Sequence, residues 1–123
     1  MTAELTMYGA TRCLLTGSTA IYGKGNDVDY IVLVEDVNKY IDDKVAGGWA
    51  GGPGYRDSDF VSLRKDDVNL LVTKQQWLFD AFSVATTTAM AMVKALPQDN
   101  KEARVRLFET IRELYKEAHY DTV

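Results

Sequence analysis

Apolar and polar positions along the chain change period several times, and each change marks an element. Arg12 to Thr16 is a short, mostly apolar run closed by the turn-forming pair Gly17-Ser18, which predicts a buried strand. Thr19 to Tyr22 has room for one helical turn before Gly23-Lys24-Gly25-Asn26, a loop by composition. Val28 to Val34 reads Val-Asp-Tyr-Ile-Val-Leu-Val, β-branched and largely apolar as a central strand should be. Asp36 is placed to N-cap a helix running to about Lys44, with Val37, Tyr40 and Ile41 on one face. Gly47 to Gly54 is the most irregular stretch. Asp59 to Arg64 and Val68 to Thr73 predict two strands, joined through Lys65-Asp66-Asp67 as a hairpin.

The remainder reads as helix. Gln75 to about Leu96 is apolar nearly all round and stops before Pro97, so it is expected to be mostly buried, in the core or in a homodimer face. Its Thr86-Thr87-Thr88 run is weak helix material that packing must hold. Asn100 is placed to cap a last helix whose apolar stripe is Leu107, Phe108, Ile111, Leu114, Tyr115 and Ala118. Residues 3–10 predict a short opening helix. No repeat and no long linker divides these elements. The expectation is one α/β (α+β) domain over residues 1–123: a small mixed sheet with helices covering one side.

Composition narrows the function. The 123 residues carry a formal charge of −4, with Lys and Arg mostly single or in short pairs such as Arg64-Lys65. A plain nucleic-acid-binding domain is therefore disfavoured, and a metal-bound nucleotide or another protein is the expected partner. Cys13, the one cysteine, sits in an apolar run with no base-bearing motif beside it and reads as an inert core thiol. The N-terminus lacks a basic region followed by an apolar run, and no stretch approaches the ~20 apolar residues of a membrane span. A cytoplasmic protein with no membrane partner is expected.

The chemistry concentrates between Leu14 and Val32. Asp27 and Asp29 are two apart at the start of a strand, so their carboxylates project from one face. Such a pair can hold divalent ions that bridge phosphate groups. Gly17 lets the backbone approach a ligand closely, amides at the start of the following turn favour an anion, and Ser18 adds a hydroxyl donor. A phosphate cradle followed by a carboxylate pair is the equipment phosphoryl transfer needs.

Gly17-Ser18, a short helical turn and then Asp27-Val28-Asp29-Tyr30 together resemble the signature of the polymerase β nucleotidyltransferase superfamily. The resemblance extends through Tyr22-Gly23-Lys24, where small members place a glycine and a basic residue. More narrowly, the chain looks like small nucleotidyltransferase-like proteins of tailed phages. That likeness rests on the glycine-rich turn after Trp49, Phe60 to Lys65, Asp67 to Thr73, and a helical tail with Arg106-Leu107-Phe108. It implies a minimal nucleotidyltransferase fold in a host-cell cytoplasm. It also implies transfer of a nucleoside monophosphate from a nucleoside triphosphate to an acceptor, a host protein or nucleic acid. Asp27 and Asp29 would hold Mg²⁺ or Mn²⁺, Gly17 and Ser18 the β- and γ-phosphates, and Lys24 would neutralise charge.

The superfamily places a third carboxylate on a later strand, and the matching position here is Asn69. An amide oxygen can ligate a hard cation, but it is uncharged and a poor general base. Asp67, two residues earlier, is the candidate substitute. Asn69 therefore divides an enzyme from a binding module that keeps nucleotide or metal and acts on a host protein. Arg64 and Lys65 read as solvated charges at a hairpin tip, Trp49 and Tyr55 as loop anchors, and His119 as a residue without a cluster.

Overall fold

The computed structural model describes residues 4–5, 10–56 and 59–122, with side chains at 4–5, 52–56 and 121–122 outside the description. Among the described residues six strands form one mixed sheet in the order β1-β2-β3-β6-β5-β4. They are β1 (Glu4–Leu5), β2 (Arg12–Thr16), β3 (Val28–Leu33), β4 (Ala50–Arg56), β5 (Val61–Lys65) and β6 (Val68–Thr73). The central β3–β6 pair is parallel and the other pairings are antiparallel. The described residues also form four α-helices: α1 (Gly17–Tyr22), α2 (Val37–Ala46), α3 (Gln76–Ala91) and α4 (Lys101–Thr122). The expected α/β class, a small mixed sheet covered by helices, is what the structure shows.

Alternation along the strands sends apolar side chains to both faces, which is why both faces are covered. Cys13, Val32, Leu63, Leu70 and Val72 meet Tyr40 and Ile41 of α2 on one side. Leu14, Ile31 and Leu33 meet Trp77, Leu78 and Phe79 of α3 on the other. Helices on one side only is thus corrected to helices on both. Cys13 is fully buried, in keeping with a core thiol. Asp36 caps α2 by accepting from the Lys39 amide at 3.1 Å, and Asn100 caps α4 by accepting from the Ala103 amide at 3.2 Å.

Three further expectations change. Glu4 and Leu5 pair antiparallel with Leu14 and Cys13, so they form an edge strand instead of part of a helix; residues 6–9 lie outside the described ones. The glycine-rich stretch contains β4, whose register against β5 shifts between Gly51 and Arg56. Glycines hide the period-two pattern by which strands are read, and a register shift at a sheet edge tolerates them. The long helix ends at Ala91 and continues as a 3₁₀ turn, Val93–Ala95, before Leu96 tucks into the core.

The last helix lies across α3. Ala103, Leu107 and Phe108 pack on the cluster of Ile21, Ala89 and Leu96, and Tyr115 packs on the Trp77 cluster. Leu114 departs from the expected stripe, standing 60% exposed. Buried charge locks α4 down: Arg112 donates to Asp59 Oδ2 at 2.6 Å and Lys116 reaches the same oxygen at 3.4 Å, with the Asp59 side chain only 8% exposed. No described helix is long and apolar enough to cross a membrane.

The threonine run in α3 is held as its weak propensity requires. Thr86 is fully buried, its Oγ1 2.6 Å from the Phe82 carbonyl oxygen and 2.7 Å from Thr16 Oγ1. A carbonyl only accepts, so the Thr86 hydrogen goes to Phe82 and Thr16 donates to Thr86. Thr86→Val therefore strands a buried Thr16 hydroxyl and is expected to cost about 1–3 kcal/mol, whereas Thr16→Val costs about 0.5–1.5 kcal/mol. Urea denaturation of both variants checks the order; a reversed order would contradict this donor assignment.

Candidate functional site

Strand register assembles a row of polar side chains where β3 and β6 begin. Thr16 pairs with Asp29, Asp29 with Asn69, and Asn69 with Arg64, across β2, β3, β6 and β5. Directly paired residues share a face, and this is the face carrying α1 and α3. Asp27, two residues before Asp29, falls on the same side.

The row is closed by hydrogen bonds. The Arg64 guanidinium donates to Asp27 Oδ1 at 2.9 Å and to Asn69 Oδ1 at 3.2 Å. Asn69 Nδ2 donates in turn to Asp29 Oδ1 at 2.9 Å. That orientation of the amide satisfies both neighbours at once, since the guanidinium only donates and the carboxylate only accepts. An aspartate at position 69 would set two carboxylates face to face and call for a cation between them. Asn69 removes that demand. It is buried, and it links the cation and anion as an uncharged relay.

Gly17 sits where β2 turns into α1, at φ 72°. A Cβ there would collide with Asp29 Oδ2, so the position needs glycine for its backbone angle and for space beside the carboxylate. The loop that delivers Asp27 is fastened twice, by Thr19 Oγ1 donating to the Asp27 carbonyl at 2.6 Å and by the Val28 amide donating to the Asp67 carbonyl at 2.8 Å. Gly25 passes so close that a Cβ would lie 2.5 Å from Ser18 Oγ.

A cleft of about 460 Å³ opens over this corner. Gly17, Ser18, Asp27 and Asp29 line its sheet side. Lys101, Arg104 and Arg112 of α4 line the opposite side, with Phe82 and Phe108 among the apolar walls. An acidic corner facing cations across an aromatic-lined gap suits a ligand that carries both phosphate and a ring. Burial raises the Asp29 carboxyl above the usual aspartate range; the Asn69 hydrogen bond opposes that rise, and the Asp27 charge adds to it.

Sequence reasoning located Gly17, Ser18, Asp27, Asp29 and Asn69, which the structure brings together. It does not bring Lys24 there. Lys24 is exposed in the Gly23–Asn26 loop, away from the cleft lining, and its carbonyl accepts from Gln98 Nε2 at 3.2 Å. Arg64, expected as a solvated hairpin charge, belongs instead to the polar row. Lys101, Arg104 and Arg112 were missed, although spacings of three and four through Phe108 place them on one helical face. Asp67 is exposed in the turn before β6, where its carbonyl accepts from the Val28 amide. Trp49 packs against the α2-side core as an anchor, and the Tyr55 side chain lies outside the described ones.

Asp27 and Asp29 each use only Oδ1 in hydrogen bonds among the described residues, leaving both Oδ2 atoms for a ligand. No group of three or more His, Cys, Asp or Glu placed to hold a metal occurs among the described residues. Two carboxylates fit Mg²⁺ or Mn²⁺, which commonly take one or two carboxylates and complete their shell with phosphate and water. The residues fit a cation that arrives with its phosphates.

No protein-family model and no curated protein matches the chain. A solved structure, that of the conserved protein GrpB from Enterococcus faecalis, is similar over 94% of this chain and 86% of its own, at 14% identity and a TM-score of 0.48. At that distance the likeness carries no argument about residues or activity.

Asp29 yields a prediction about pH. Its raised pKa means that the folded chain holds this proton more tightly than the unfolded chain does. In chelator-treated buffer, stability should therefore fall as pH rises from about 4, the unfolded value, through the higher folded value. Asp29→Asn abolishes that contribution and is expected to melt higher than the native chain at pH 7. Thermal melts between pH 4 and 8 decide; a lower midpoint for Asp29→Asn at pH 7 would contradict the burial penalty.

Proposed function

We propose that the chain is a nucleotidyltransferase-type protein that binds a nucleoside triphosphate with Mg²⁺ or Mn²⁺ in this cleft, with weak or no transfer to an acceptor. The observation that carries the reading is Asp27 and Asp29 converging beside Gly17 and Ser18 on one side of a cleft whose other side is cationic. The Gly17-Ser18 and Asp27-Val28-Asp29 resemblance supports the same choice of ligand.

In this reading Asp27 and Asp29 would hold the metal, and Ser18 would donate to a phosphate oxygen. Lys101 and Arg104 meet the negative charge from α4, taking the part first expected of Lys24. Phe82 and Phe108 offer apolar surface to the nucleoside. Bound there, the metal would offset the charge on the transferring phosphoryl group. Asn69 keeps the Asp29 carboxylate oriented but takes up no proton from an attacking hydroxyl. A cytoplasm, where nucleoside triphosphates are available, is the setting this function requires.

Asn69 specifically favours a second reading, a nucleotide-binding chain without turnover whose output is contact with a host protein. General base catalysis is worth about 10²–10⁴-fold in rate, and the position that supplies the base in the superfamily is the uncharged relay. Nucleotide affinity should then be measurable while turnover is low, and Asn69→Asp should raise turnover by about 10²-fold or more. Calorimetry with triphosphates, followed by incubation of both chains with labelled triphosphate and mixed acceptors, checks this. Robust labelling by the native chain would show that Asn69 suffices. Absence of any triphosphate affinity would reject the nucleotide reading in favour of the protein-binding module.

A further inference from the structure

Arg64 has no part in the function as read so far, yet its fork ties Asp27 to Asn69. It belongs to the strand next to β6, directly paired with Asn69, so its place follows from register. A guanidinium on Asp27 Oδ1 and a divalent cation on the same carboxylate are two cations competing for one anion. With the metal bound they would also repel each other.

We infer that Arg64 is a built-in competitor of the metal. It holds Asp27 in the ligand-free chain and weakens binding of the bare divalent cation, so that the cation enters together with its triphosphate. The proposal rests on the metal reading of Asp27 and Asp29, and its geometry is independent of any transfer activity. Two features make competition, and not exclusion, the outcome. The pair is open to solvent, with Asp27 42% and Arg64 36% exposed, so it is weak enough to be displaced. Asp27 Oδ2 lies outside the pair, so the carboxylate can turn toward a cation without first losing every partner.

The protein's own donors reinforce the effect. Two carboxylates leave most of the cation's shell to water, whereas a triphosphate supplies further oxygens and enough negative charge to outweigh one guanidinium. Metal and triphosphate should therefore each raise the affinity for the other, as any coupling between two ligands must be reciprocal.

Titration calorimetry with Mn²⁺ alone, without nucleotide, tests this on the native chain, Arg64→Gln, Arg64→Lys and Asp27→Asn/Asp29→Asn. An exposed pair of this kind is weak, and loss of the neighbouring charge adds to its removal, so Arg64→Gln should bind Mn²⁺ about three- to tenfold tighter. Arg64→Lys keeps the charge and should stay within about twofold of native. Cooperative thermal melts confirm that the variants are folded. Equal Mn²⁺ affinity in native and Arg64→Gln chains would overturn the competitor role while leaving the metal site standing. Arg64→Lys binding as tightly as Arg64→Gln would overturn it as well. If the native chain and Asp27→Asn/Asp29→Asn give the same heats, the metal reading itself falls and this inference with it.

Discussion

Parallel pairing of β3 with β6 is the constraint from which the site follows. It sets Asp29 opposite Asn69, and the flanking antiparallel pairs then bring in Thr16 and Arg64 at the same level. A slip of one residue along β3 would turn Asp29 into the α2-side core and move Ile31 out of the α3-side core. Register is therefore defended by the two apolar clusters on either side of the sheet. The same interactions that bury Ile31, Val32, Leu70 and Val72 aim the carboxylates into the cleft.

The corner is built from interactions that work against one another. Burial disfavours a charged Asp29, and Asp27 adds a like charge two residues away. Arg64 and Asn69 relieve part of that stress, and Gly17 leaves the Asp29 oxygen room that any side chain would fill. Local features that lower stability gather where a ligand is expected, and the rest of the fold must support them. The support is visible. Thr16 is tied to Thr86 on α3, and α4 is fastened through Arg112 to a nearly buried Asp59. The wall carrying Lys101 and Arg104 is thereby held opposite the acidic corner.

Much of the sheet was legible in the sequence because Val28 to Val34 and Val68 to Thr73 are strongly β-branched and too short for anything but strands. Caps at Asp36 and Asn100 were legible for the same reason, a polar acceptor before an amphipathic run. β4 was not, since its glycines carry no side-chain pattern. The opening strand was not, since two residues of pairing are set by a partner remote in sequence. Gly17, Ser18, Asp27 and Asp29 were legible as candidates because all four lie within one short segment. Arg64 was hidden because its role depends on lateral pairing across β5 and β6. Lys24 is near Asp27 in sequence but stays exposed in its loop and is not among the residues that line the cleft.

We propose Asp27 and Asp29 as the metal corner of a triphosphate cleft. The most direct test is a crystal grown with a non-hydrolysable nucleoside triphosphate and Mn²⁺, with data collected for the anomalous signal of manganese. A single strong anomalous peak is expected at Asp27 and Asp29. Phosphate density should run beside Gly17 and Ser18 toward Lys101, and Arg64 should be displaced from Asp27. Triphosphate bound elsewhere, or bound in the cleft with no metal at the two carboxylates and Arg64 still paired with Asp27, would contradict it.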